Sequence, residues 1–190
     1  AMKKSKYSDI FKSIDSNGRD VLRLFLAKEN LDQLSTRACK IISRLPIYMT
    51  YRKESHGKQI KGSIETYQSL NRNHKFLQSK ILNVHEGVMP ANYLKLNSNF
   101  EIQLIRKLGV PTVDEITFCV DHLFCNSSTL DPSSRDKTMQ SVLINLSRLC
   151  MESKGFAALL SDTPFVPDEN GHLHKPGDLY DYEVPVLATL

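Results

Sequence analysis

Apolar residues recur along this chain at two spacings, and the switches between them mark out its elements. Gly18 to Ala27 ("GRDVLRLFLA") reads as a short amphipathic helix. Leu31, Leu34, Ala38, Ile41, Ile42 and Leu45 fall at i, i+3, i+7, i+10, i+11 and i+14, one face of a second helix. Asn30 or Asp32 is placed to cap its start and Pro46 to stop it. Residues 47–51 are rich in β-branched and aromatic side chains and predict a strand, "ESHGK" a turn, and residues 60–70 a returning strand. Residues 80–85 ("KILNVH") read as another short strand.

Helical spacing resumes after Pro90. Phe100, Leu104, Ile105 and Leu108 form a stripe closed by Gly109 just past the helix end. Thr112 and Glu115 have the spacing of a capping box ahead of the stripe Ile116, Cys119, Val120, Leu123 and Phe124. Asp131-Pro132 is a cap followed by proline at the first helical position. Met139, Val142, Leu143, Leu146, Leu149 and Cys150 make the longest stripe, and Phe156 to Leu160 continues helically. Pro164 then stops the helix, Phe165 and Val166 run extended, and "PDENG" supplies turn chemistry in which Gly171 takes φ > 0. Leu173 returns the chain with its histidines outward, and Pro176-Gly177 makes a second turn. The apolar side chains from Leu179 to Leu187 mark residues 161–190 as a folded hairpin and docking segment rather than a tail. The fold class is α+β, mostly helical, with helices packed on small β-hairpins around a single core. The 190 residues suit one domain, with 1–17 a flexible or cloning-derived start.

Composition changes this picture little. The chain is 41% hydrophobic and 24% charged, which argues against global disorder. It has no apolar run near the roughly 18 residues of a membrane span, and its charged N-terminus has no apolar stretch of a secretory leader behind it. Cys39, Cys119, Cys125 and Cys150 are dispersed on helical faces, which suits free thiols in a reducing compartment. The net charge of +4 is uneven. Arg52, Lys53, Lys58, Lys61, Arg72, Lys75 and Lys80 face only Glu54 and Glu65 across residues 51–80, a local +5, and the remainder sums to −1.

Three constellations invite chemistry. Cys119, His122 and Cys125 are zinc-ligand types, but on a continuous α-helix the two sulfurs stand about 9 Å apart along the axis, too far for one ion. Core cysteine beside flank histidine is the better reading. His172 and His174 share a strand face near Asp168, Glu169 and Asp178, which suggests a metal-dependent hydrolase as one alternative; solvated histidines on a hairpin are the commoner arrangement. The basic segment 52–80 interleaves Tyr51, Tyr67 and Phe76, a mixture that binds single-stranded nucleic acid, but it lacks any nucleic-acid-binding motif. Nucleic acid is therefore the disfavoured partner, and those seven cations read first as a solvated basic face or as an interaction surface that docks on an acidic neighbour. No glycine-rich phosphate loop or nucleophile elbow is present, so no cofactor, no metal, no catalytic residue and no ATP binding are expected.

Residues 104–124 ("LIRKLGVPTVDEITFCVDHLF") resemble a recurring stretch of the sacsin internal repeats, in which a leucine-rich helix ends in L-G-V and an acidic-aromatic helix follows. The closing block resembles those repeats more closely. The repeat's P-F-[IV]-P element matches Pro164, Phe165, Val166 and Pro167. Its glycine hairpin matches Gly171, its leucine-x-x-P step Leu173 and Pro176, and its ending Leu179, Tyr180, Asp181, Pro185 and Leu187. "RLPIY", with Pro46, resembles the opening of the same repeat. The likeness runs from about residue 34 to 190 and is weak between 52 and 87, where the repeat usually carries a short glycine turn. It implies a non-enzymatic structural and protein-interaction module of a giant cytoplasmic chaperone, in a scaffold whose ATPase-like region lies elsewhere. The implied partners are neighbouring repeat segments of the same chain and client or chaperone proteins, with no membrane.

Overall fold

A computed structural model of the chain describes residues 14–28, 31–51 and 66–179. It is α+β: helices dominate, and the strands form two-stranded pairs. The chain contains two compact units, Ala1–Gln78 with Pro90–Val113, and Ser79–Met89 with Asp114–Leu190.

In the first unit, α1 (Ser16–Lys28) is followed by a 3-10 turn at Leu31–Gln33 and α2 (Thr36–Ile42). The expected single helix over 31–45 is thus broken. Ser35 is its cap, accepting the Ala38 N–H at 3.2 Å, where Asp32 or Asn30 was expected; Asn30 lies outside the described residues. Strands β1 (Tyr48–Thr50) and β2 (Thr66–Gln68) pair antiparallel with Met49 opposite Tyr67, as the alternation predicted. The third pairing is parallel, β3 (Phe76–Leu77) with β4 (Thr112–Val113), and no hairpin turn could produce it. Helix α3 (Asn99–Lys107) precedes β4 and ends at Gly109, whose φ of +80° spares a side chain the left-handed penalty. Ile47, Tyr48, Phe76, Leu94, Ile105 and Val110 form the core, with Leu22 and Leu26 of α1 packed against it.

A buried ion pair fastens α1 to α3. Arg23 is 2% exposed and Glu101 fully buried, and their side chains are in direct contact. Arg23 also meets Asp20 at 2.8 Å and donates to the Ile47 carbonyl at 3.4 Å. The second oxygen of Glu101 accepts the Asn97 N–H at 2.7 Å, while Ser98 caps the helix by accepting the Glu101 N–H at 3.3 Å. Ser98 and Glu101 thus hold the helix start between them, with Glu101 taking the N–H one residue before the cap, and the glutamate also neutralises a buried arginine.

In the second unit, α4 (Glu115–Phe118) runs into a π-helical stretch at Cys119–Phe124. α5 (Pro132–Ile144), α6 (Leu146–Glu152) and α7 (Phe156–Ser161) follow. Asp131 caps α5 with Pro132 at the first position, as the residues foretold. The longest apolar stripe is interrupted at Asn145. Met139, Val142 and Leu149 are buried, but Leu143 is exposed, because α5 turns Ser134, Thr138 and Ser141 inward instead. Strands β5 (Val166–Pro167) and β6 (Leu173–His174) pair antiparallel, and a 3-10 turn at Pro176–Asp178 packs on α7.

Candidate functional site

The hairpin of β5 and β6 is organised by one carboxylate. Gly171 sits at φ +83°, and the Asp168 carbonyl accepts its N–H at 3.0 Å. Asp168 Oδ1 accepts the N–H groups of Asn170 and His172, both at 2.8 Å. Its Oδ2 lies 3.3 Å from His172 Nδ1 and 3.2 Å from His174 Nε2. Desolvation acts to raise the Asp168 pKa. Hydrogen bonds from His174, the N–H groups of His172 and Asn170 and the His172 ring outweigh it and hold the carboxyl at about 2. Both histidines are exposed, as expected of a hairpin facing water. The carboxylate ties off the turn. Among the described residues, no group of three or more His, Cys, Asp or Glu is arranged to hold a metal ion.

The other expected positions are placed as follows. Pro46 follows the end of α2 at the approach to β1, Pro164 precedes β5, and Phe165 donates its N–H to the His174 carbonyl at 3.1 Å. Pro167 pairs with Leu173, and Pro176 opens the last 3-10 turn. Asp181 and Pro185, with residues 180–187 generally, lie outside the described residues. Leu179, expected to be an anchor, is 47% exposed. Arg52, Lys53, Lys58 and Lys61 also lie outside the described residues; Arg72, Lys75 and Lys80 are exposed. Phe76, one of three aromatics offered for base stacking, is fully buried, and the Arg19 guanidinium covers the Tyr67 ring at 5.3 Å. Cys119 is buried and Cys125 exposed, so the two thiols of the candidate trio lie in different environments. Burial first, and then the nearby Glu115 charge, push the Cys119 thiol up to about 12, which leaves it inert at neutral pH.

The most elaborate polar arrangement was not expected. Residues 80–85, predicted as a strand, form no ladder. Their backbone is bound by side chains instead. Glu115 Oε1 accepts from the N–H groups of Lys80, Ile81 and Leu82 and from Ser79 Oγ, each at 2.8 Å. Three successive N–H groups converging on one oxygen make an anion-binding nest, here filled by a carboxylate of the same chain. This also overturns the expected Thr112 and Glu115 capping box: Asp114 caps α4 by accepting the Thr117 N–H at 2.8 Å, and Thr112 lies in β4. Beyond Leu82, Ser141 Oγ accepts the Asn83 N–H at 2.8 Å and Thr138 Oγ1 accepts the His85 N–H at 3.1 Å. Asn145 Nδ2 reaches the Ile81 carbonyl at 3.4 Å. At Gly87 a Cβ would stand 2.9 Å from Ser134 Cβ and closer still to its hydroxyl.

Positions 134, 138, 141 and 145 are one face of the α5 line, and they meet 87, 85, 83 and 81 in reverse order. Eleven helical residues rise about 16 Å and six extended ones about 20 Å, a mismatch that the 3-10 turn at Glu86–Val88 takes up. Leu82, Val88 and Met89 are buried at the two ends of the segment. The proline-free run 79–89 and the Ser/Thr spacing on α5 are visible in the sequence, but neither names the other.

The outer faces are also informative. On α1, Val21, Leu24 and Phe25 are 61%, 38% and 59% exposed while Arg23 points inward. Among the described residues, no helix is long and apolar enough to cross a membrane. No family model, curated protein or solved structure matches the chain.

Proposed function

We propose that the chain is a non-enzymatic structural and protein-interaction module of a sacsin-like cytoplasmic chaperone. It presents surface to neighbouring repeat segments and to client or chaperone proteins. The observation that carries this reading is helix α1, which packs Leu22, Leu26 and Arg23 inward and also turns Val21, Leu24 and Phe25 to solvent at i, i+3 and i+4. A contiguous apolar face of this kind is what an unfolded or partner polypeptide covers. The polar arrangements support the same reading. Arg23 with Glu101, Glu115 with 79–82, and Asp168 with its histidines each tie chain segments together.

The test is light scattering by a thermally unfolded client mixed with equimolar chain. The parent is expected to suppress scattering. The Val21→Ser, Phe25→Ser double variant is expected to lose that effect while melting at the same temperature, since both positions are exposed. Scattering unaffected by the parent, or suppressed equally by the variant, would overturn the proposal.

A further inference from the structure

Residues 79–89 are held as a peptide ligand is held. Six of their backbone groups bond to side chains of Glu115 or of the α5 line. Backbone-directed recognition tolerates many sequences, because the N–H groups are common to all residues except proline. The exposed side chains of Lys80 and Asn83 are left to vary. Selectivity comes from three places. The Glu115 carboxylate needs three consecutive N–H groups, Leu82 and the Val88-Met89 pair fill apolar sites, and only glycine fits against Ser134.

We propose that the face formed by Ser134, Thr138, Ser141 and Asn145, with Glu115 at its end, is a docking site for an extended peptide, occupied in cis by residues 79–89 and open to an equivalent peptide of a partner protein. The partner segment is proline-free over its first seven residues, apolar at the fourth position, glycine at the ninth and apolar at the tenth and eleventh. The inference deepens the protein-interaction reading and rests on it for its purpose, though its geometry is independent of the α1 face. The tethered cis segment competes at an effective concentration on the order of millimolar. A partner peptide therefore enters the parent only in large excess, and enters readily where the cis segment is weakened.

The test uses a fluorescein-labelled peptide of sequence SKILNVHEGVM and the full chain, read by anisotropy. Gly87→Val forces a branched side chain against Ser134 and should vacate the site. Saturable micromolar binding is expected for the Gly87→Val chain, and about a hundredfold weaker binding for the parent. Adding Glu115→Gln to Gly87→Val should weaken binding about tenfold, and placing Gly87→Val in the peptide instead should abolish it. A folded Gly87→Val chain that does not bind overturns the proposal, as does binding that survives both controls. Where Gly87→Val does not fold, the parent decides the matter. Excess unlabelled peptide should accelerate amide exchange at Lys80–His85 several-fold, and unchanged exchange overturns the proposal. The client-scattering assay reads the α1 face, so failure here and failure there are separate results.

Discussion

Glu115→Ala removes one acceptor and strands the three N–H groups that share it, while the Ser79 hydroxyl keeps the Leu82 carbonyl. The donors differ in what they lose. Leu82 is buried, and its N–H loses its partner with no water to replace it, a cost of about 1–3 kcal/mol. Ile81 is half-buried and adds a fraction of that, while Lys80 is exposed and its N–H turns to solvent. The expected total is about 2–4 kcal/mol, a large part of the roughly 5–15 kcal/mol that holds a typical domain. Glu115→Gln keeps the carbonyl and loses the charge, so about half that loss is expected.

Acid should do to the parent what the glutamine does. Burial acts to raise the Glu115 pKa, but the N–H groups of Leu82 and Ile81, the Ser79 hydroxyl and the Lys80 N–H hold it below the ordinary 4.5. A carboxyl lowered in the folded state binds fewer protons there than when unfolded. Its contribution is therefore complete above about pH 4.5 and lost as pH falls through the lowered value. Urea unfolding followed by circular dichroism at pH 7 and at pH 3.5 measures both effects. Because two units permit two transitions, amide exchange at Lys80, Ile81 and Leu82 reports the local one. A Glu115→Ala chain with unchanged exchange at those amides and a stability within about 0.5 kcal/mol of the parent would refute the account.

Replacing Arg23 with Met alone should cost about 3–5 kcal/mol in urea unfolding by stranding the buried Glu101 carboxylate, whereas Arg23→Met with Glu101→Leu should recover most of it; equal losses would show that packing, not charge, is at stake. His74 is 2% exposed and accepts the Asn71 N–H at 3.2 Å, and burial holds its pKa below 6.5. Its contribution is thus complete above about pH 6.5 and lost below it, and His74→Gln should flatten the stability profile between pH 7 and 5. His172→Ala with His174→Ala should leave the calorimetric melting temperature within about 2 °C, since both side chains are exposed; a collapse would mean that the ring contacts to Asp168 hold the hairpin.

Local chemistry was legible before any coordinates. Pro164, Gly171, the Asp131-Pro132 cap and the closure at Gly109 each act within a few residues of themselves, so their neighbours in sequence determine what they do. The α+β class followed from the same punctuation and from the apolar spacings. The serine-x-x-glutamate pattern of Ser98 and Glu101 could also have been read, though not the buried arginine that the glutamate meets. Tertiary structure alone decided where the side chains of Arg23, Glu115, Thr138 and Ser141 were to be used. Glu115 resembles a capping residue by its spacing, but it binds backbone more than thirty positions upstream. Residues 80–85 carry the composition of a strand, yet their N–H groups find side-chain oxygens before they find another strand. A backbone donor takes whichever acceptor folding brings within about 3 Å, and no periodicity records which distant one that is.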